Sequence, residues 1–257
     1  MKERKLQHGF SLVELSIVIL IMGLLLGGLM MPLSIQRENA RTRTGVEQLA
    51  TIQAAIEGYA LVNGHLPCPA VPSSNGVTAT AGGGCTAQHG FVPATTLDLN
   101  GQRNTDNLLL DPWGSPVRYS VSSTDSNADG TWDFVTAGEM RVVTMPALQP
   151  DLVVCSTAVG SSASACAGSN ETLSASAPVV IYSLGKDWSS FTSADQQANV
   201  GATIGGGISG TNYSVANDVV FVSRGVSDLA GSRFDDLIVW LSPNSLYSRL
   251  VDAGHLP

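Results

Sequence analysis

Charge and aromatic rings are scarce in this chain: Asp, Glu, Lys and Arg make up 13% of its 257 residues, and Phe, Trp and Tyr 6%. Basic residues are the scarcer sign, thirteen against twenty-one acids, for a net charge of −8. From Leu66 onward there are seven basic and sixteen acidic residues, so that region carries −9. A surface that tracks phosphates needs clustered Lys and Arg, which argues against a nucleic-acid partner. Catalytic signatures are also missing. There is no GxSxG, no HExxH and no GxxxxGK[ST]; Ser183-Leu184-Gly185-Lys186 lacks the phosphate-loop spacing. No CxxC occurs, and His8, His65, His89 and His255 are scattered, which argues against zinc. The chain does not read as an enzyme.

What is present is one long apolar run. Phe10 to Met31 is 22 residues, about 33 Å of helix and enough to cross a bilayer. Lys2, Arg4 and Lys5 precede it, which keeps the leader cytoplasmic and sends the remainder to the periplasm. No Ala-x-Ala cleavage site follows Met31, so the apolar segment is expected to be retained. One carboxylate, Glu14, interrupts it near the start. A charge at the centre of such a helix costs roughly 2.5–3.5 kcal/mol and is seldom kept without a partner; no basic residue in the segment supplies one.

Basic leader, Gly9, Phe10, Glu14 five positions after the glycine, then the apolar helix: this pattern resembles the prepilin signature of type IV pilins and type II secretion pseudopilins. The resemblance implies that a prepilin peptidase cuts after Gly9 and methylates Phe10. It also implies that Glu14 pairs with the amino terminus of a neighbouring subunit. Asp111-Pro112-Trp113-Gly114-Ser115-Pro116, leading into Val117–Val121, resembles the Asp-x-Trp-Gly-x-Pro segment of major pseudopilins; Trp113 is expected to fold over a sheet. Phe234–Pro243 resembles a carboxy-terminal block of some large prepilin-like proteins.

The expected organisation is a leader at 1–9, a transmembrane helix at 10–32, its amphipathic continuation at 33–64 and a periplasmic head at 65–257. Val46, Leu49, Ile52, Ile56 and Tyr59 recur at helical spacing and should pack on the head. Arg37, Arg41 and Arg43 lie just beyond the membrane, as lipid head-group contacts or inter-subunit partners. Asn63-Gly64 suits a helix end. Gly23, Gly27 and Gly28 permit close helix approach, and Pro32 can kink the helix. In the head, short β-branched runs predict strands at Val117–Val121, Trp132–Val135, Met140–Thr144, Leu152–Cys155, Val179–Leu184, Asp218–Ser223 and Leu237–Leu241. Ser156–Ala177 reads as a loop. Ser242-Pro243 starts a short terminal helix with Leu246, Leu250 and Val251 on one face. The fold class is α+β: a long amino-terminal helix packed on an antiparallel sheet, pilin-like, with a short carboxy-terminal helix.

Four cysteines, Cys68, Cys85, Cys155 and Cys166, allow three pairings. Two local bridges, Cys68 with Cys85 and Cys155 with Cys166, are the simplest arrangement for an oxidising compartment. Asp125, Asn127, Asp129, Thr131 and Asp133, with Gly130 at the sixth place, match the first nine positions of an EF-hand-type calcium loop. Thr136 stands where the bidentate Glu belongs, and a metal-free Asx-rich hairpin turn is the competing reading. Calcium binding near the sheet is a property the pseudopilin resemblance implies. Asp235-Asp236 reads as exposed, capping a strand or pairing with an Arg.

The expected function is a minor pilin or pseudopilin, a structural subunit of a type IV pilus or secretion pseudopilus. Its expected partners are other pilin subunits, the prepilin peptidase, an inner-membrane assembly platform and membrane lipid. The alternative is a membrane-anchored periplasmic binding protein or adhesin, which calls for an exposed aromatic pocket built from Trp132, Trp188 or Tyr213.

Overall fold

The computed structural model describes residues 11–82, 84–200, 216 and 218–256, with the side chains of 26–33 outside that description. The chain divides into two units, Met1–Arg43 and Thr44–Pro257. Helix α1, Leu12–Asn63, supplies all the described structure of the first unit after Ser11. Its apolar side chains there are open to the surroundings; Leu12 is 85% exposed and Leu24 72%. Among the described residues no helix is long and apolar enough to cross a membrane. The described apolar stretch Leu12–Leu25 is about 21 Å of helix, short of the roughly 30 Å hydrocarbon layer. The remainder of the expected span, Phe10 and the side chains from Gly27 and Gly28 to Pro32, lies outside the described residues.

In the second unit, the end of α1 buries Gly45, Leu49, Ile52, Ile56 and Ala60, spaced four, three, four and four apart along one face. Val46 and Tyr59, expected on that face, are exposed and half-buried. The face begins instead at Gly45, where a Cβ would stand 2.8 Å from Leu237 Cδ1 and 3.3 Å from Trp113 Cζ3. Helix and sheet meet closely because that position has no side chain. Gly64, at φ +73°, ends the helix and donates to the Ala60 carbonyl at 2.8 Å.

The strands that follow are β1 (Thr80–Ala81), β2 (Gly84–Cys85), β3 (His89–Phe91), β4 (Arg118–Val121), β5 (Leu152–Cys155), β6 (Thr172–Ala177), β7 (Val179–Ser183), β8 (Val220–Val222) and β9 (Leu237–Trp240). The principal sheet, β3-β4-β7-β9, is antiparallel throughout. Period-two alternation sorts its side chains. Tyr119, Val121, Val179, Ile181 and Val239 join the core with α1, whereas Val180, Tyr182, Ile238 and Trp240 face a second core with Leu152, Val154 and Phe221. That second core is closed by the sheet β6-β5-β8, in which β5 and β8 run parallel. The head is therefore not purely antiparallel.

Two expected strands are absent. Asp133–Val135 is a turn and Glu139–Val142 is helix α2. Met140 and Val143, three apart, both reach the main core from this turn, a helical spacing read as a strand from its β-branched neighbours. Conversely, the expected loop Ser156–Ala177 contains β6, whose Ser and Ala residues after Leu173 have little β propensity and form a strand through pairing with β5. Helix α3, Ala194–Val200, was unanticipated; Ser193 Oγ accepts the Gln196 N–H at its start. Helix α4, Pro243–Asp252, forms as expected after Ser242, with Leu246 and Leu250 buried and Val251 exposed. Arg249 of α4 is ion-paired with Glu57 of α1, and Tyr247 donates to the Leu148 carbonyl at 2.6 Å. Both local disulfides form, Cys68–Cys85 and Cys155–Cys166, and no cysteine is free.

Candidate functional site

The amino-terminal acid has a defined partner within the single chain. The Glu14 carboxylate accepts the Ser11 N–H at 2.9 Å, and Ser11 Oγ accepts the Glu14 N–H at 3.3 Å. This is a reciprocal capping box, Ser-x-x-Glu, closing the first turn of α1. It satisfies two of the donors a helix start leaves open and places a negative charge at the positive end of the dipole. The Ser-x-x-Glu spacing of Ser11 and Glu14 is itself the sequence signal of such a box. Gly9 and Phe10 lie outside the described residues.

The Asp111–Pro116 segment is structural. Asp111 Oδ1 accepts the N–H groups of Trp113 at 3.0 Å and Ser115 at 2.8 Å, and Oδ2 accepts the Ser183 hydroxyl at 2.5 Å. Gly114 sits at φ +87°, a left-handed turn position. One buried carboxylate thus closes the turn, ties it to β7 and sets Trp113 against Gly45. Burial pushes the Asp111 carboxyl above its usual range, with the hydrogen bonds from Ser183, Ser115 and Trp113 opposing the shift.

Three carboxylates converge elsewhere, at the end of the principal sheet. Asp187, Asp235 and Asp236 each present one oxygen within 4.8 Å of the others, the one such cluster among the described residues. Gly185, at φ +65°, makes the approach possible: a Cβ there would collide with the Asp235 carbonyl. Gln196 of α3 donates to Asp187 at 2.7 Å and to Asp235 at 2.9 Å, and Asn199 donates to Asp236 Oδ2 at 2.6 Å. Asp236 Oδ1 is buried with no hydrogen-bond partner. The nearest cation is Arg233, whose Nε stands 3.4 Å from Asp187. Burial, then the neighbouring Asp235, pushes Asp187 up to about 7. Burial also drives Asp236 well above the carboxylate range. Three carboxylate oxygens this close together, one of them buried without a hydrogen-bond partner, are hard donors of the kind Ca²⁺ takes. Asp236, expected at the surface, is buried because Asn199 and β8 cover it.

The comparisons with known proteins agree with the amino-terminal geometry. Residues 4–30 match the family model described as the prokaryotic N-terminal methylation motif. Over 132 residues the chain is 26% identical to the type II secretion system core protein G of Escherichia coli (strain K12), across 51% of this chain and 81% of that protein. This chain is pseudopilin-like. No solved structure matches it significantly.

The remaining expected sites of this pseudopilin-like chain are placed as follows. Asp125 accepts the N–H groups of Asp129 and Gly130 at 3.2 and 2.8 Å. Asp129 Oδ1 accepts the Thr131 hydroxyl at 2.6 Å and its N–H at 2.9 Å, while Oδ2 accepts the Asn127 amide at 2.8 Å. These Thr131 bonds hold the exposed Asp129 carboxyl below its usual range. Asp133 is buried and turned to Ser126, whose hydroxyl it accepts at 2.6 Å. The loop's side chains bond to one another and to its backbone. Trp132 lies over Gly84, 3.2 Å from where its Cβ would be, and Trp188 packs on the second core. Tyr213 lies outside the described residues. Neither of two described cavities, one beside α1 and one beside α3, has an aromatic lining.

Proposed function

We propose that this chain is a structural filament subunit, cut between Gly9 and Phe10 by a prepilin peptidase and assembled through α1. One observation carries the reading: a lone carboxylate, Glu14, in the first turn of α1, whose described apolar side chains from Leu12 to Leu25 are exposed in the single chain. An apolar surface of that kind needs lipid before assembly and neighbouring helices after it. Residues 10–32 then hold the chain in the inner membrane, with the acidic head in the periplasm. In the assembled bundle Glu14 leaves the Ser11 N–H and meets the Phe10 ammonium of the next copy. An unpaired carboxylate in that low-dielectric core is costly, so the pair sets register. The large head suits a minor subunit, delivered by an inner-membrane assembly platform.

A second element of the proposal is a calcium ion held by Asp187, Asp235 and Asp236. It would offset most of the charge of three crowded carboxylates and tie together the segments that follow β7 and precede β9. The residues' own part is to orient the oxygens, through Gln196, Asn199 and the Gly185 turn.

Intact-mass and amino-terminal peptide spectrometry of membrane-extracted protein, with and without prepilin peptidase, tests the subunit reading. The expected result is a chain beginning at N-methyl Phe10 only when the peptidase is present. A chain beginning at Met1 under both conditions would overturn it. Glu14→Ala should remain inserted and cleavable yet assemble poorly.

A further inference from the structure

We infer that Arg233 and a calcium ion compete for Asp187, so that Arg233 is a tethered counter-ion of the Asp187–Asp235–Asp236 cluster and sets its calcium affinity. The inference rests on the calcium reading above. Most oxygens of the cluster are already engaged. Asp187 Oδ1 accepts the Gln196 amide at 2.7 Å, and Asp236 Oδ2 accepts the Asn199 amide at 2.6 Å. Asp235 Oδ1 accepts Gln196 at 2.9 Å, and its Oδ2 accepts the N–H groups of Lys186 and Asp187 at 2.8 and 3.3 Å. Two buried oxygens are left without a hydrogen bond, Asp187 Oδ2 and Asp236 Oδ1. These are the oxygens with capacity for an ion, and Arg233 Nε stands 3.4 Å from the first of them.

Arg233 is built to yield. Its contact with Asp187 is one of charge alone, since Nε makes no hydrogen bond. Its side chain is 41% exposed against 7% for Asp187, so the guanidinium can swing into water while the carboxylate stays. The other arginines nearby are fixed. Arg224 pairs with Asp195 at 2.7 Å, donates to the Ser232 carbonyl at 2.8 Å and lies over the Phe234 ring. The charge of Arg118 also reaches Asp236, but that guanidinium is buried and donates to Ser115 Oγ and the Pro116 carbonyl. The backbone keeps Arg233 beside the cluster wherever its side chain points: Phe234 is fully buried, exchanges both backbone hydrogen bonds with Ser227 at 2.8 Å, and leads directly into Asp235. Calcium bonds a carboxylate oxygen at about 2.4 Å. A guanidinium left 3.4 Å from that oxygen would then lie within about 6 Å of the ion. At that distance a divalent and a single positive charge repel enough to weaken binding about five- to tenfold, even in water and physiological salt. Being exposed, the guanidinium leaves instead, and the ion pair it gives up still counts against the metal. Until calcium arrives, Arg233 balances part of the cluster's charge and lets the head fold.

Calorimetric titration of calcium chloride into the chelator-treated, full-length chain in detergent tests this, with wild type, Arg233→Gln, Arg233→Lys and Asp236→Asn. Calcium should bind Arg233→Gln about five- to tenfold more tightly than wild type, and Arg233→Lys, which keeps the charge, within about twofold of wild type. Asp236→Asn should bind none. Before calcium is added, Arg233→Gln should melt below wild type, and saturating calcium should remove that difference. The wild-type chain supplies a second readout that needs no variant to fold. Peptide-resolved phenylglyoxal labelling should rise several-fold at Arg233 on addition of calcium, and not at Arg118 or Arg224. Equal affinities in wild type and Arg233→Gln, or Arg233 labelling that calcium leaves unchanged, would overturn the competition; with binding lost in Asp236→Asn, the cluster would still stand as the site. A wild-type chain that takes up no calcium would overturn both.

Discussion

His89 should make this protein lose stability in mild acid by an amount the structure sets. It lies on β3 opposite Ser120 of β4, with Nδ1 2.9 Å from the Ser120 hydroxyl and its ring 6.1 Å from that of Phe221 on β8. Asp151 is the nearby charge; it favours protonation, but it is engaged by Gln88 and Ser123. Burial outweighs it and lowers the imidazole from 6.5 to about 4. Between those values the unfolded chain holds a proton that the folded chain refuses, so stability rises with pH across the window and falls on acidification. Each unit is worth about 1.4 kcal/mol, and the full window about 3 kcal/mol at most. Asp187 works in the opposite sense: raised to about 7, it holds a proton in the fold that the unfolded chain has released, and costs stability as pH climbs toward 7. The informative quantity is therefore the difference between wild type and His89→Gln, in which Asp187 cancels and an amide keeps the Ser120 contact. Urea unfolding of the full chain in detergent, followed by tryptophan fluorescence at pH 7 and at pH 4.5, measures it. The wild type should lose about 2–3 kcal/mol more than the variant on acidification. Parallel pH profiles for the two proteins would refute the assignment of a partly buried, neutral imidazole.

Other predictions concern the candidate metal cluster, the core and the bridges. Millimolar calcium should raise the melting temperature of wild type after chelator treatment, and Asp236→Asn should lose that response while remaining folded; an equal response in both would remove the cluster as the site. Gly185→Ala, forced to a positive φ against the Asp235 carbonyl, should cost more than about 1 kcal/mol in urea unfolding and blunt the calcium shift. Ile56→Ala, fully buried at the α1–sheet contact, should cost about 2–5 kcal/mol by the same assay. Replacing both Cys68 and Cys85 by Ser opens a bridge spanning 17 residues and should cost about 3 kcal/mol, with a lower melting temperature that reducing agent does not lower further at that bridge.

The amino-acid sequence by itself determined whatever depends on local pattern. The apolar run with Glu14 is readable because a lone carboxylate in a long apolar segment is conspicuous on a linear chain. The face Leu49–Ile52–Ile56 follows from helical spacing, β7 from an unbroken β-branched run, the start of α4 from Ser242-Pro243, and both disulfides from the closeness of their cysteines. Tertiary structure decided what depends on partners distant in sequence. β6 is mostly Ser and Ala and becomes a strand through its pairing with β5, and α2 takes a stretch whose β-branched composition suggests a strand. The convergence of Asp187 with Asp235 and Asp236 needs the β7–β9 pairing and the Gly185 turn across 48 residues. Ligand spacing at Asp125–Asp133 is legible along the chain, whereas the bond from Ser126 to Asp133 is seen only in the folded loop. Gly45 shows the same division: in sequence it is a glycine in a helix, and only the approach of Leu237 and Trp113 makes it a position with no room for a side chain. Periodicity is a property of a segment and can be read along it, whereas burial and convergence are properties of pairs that only the folded chain brings together.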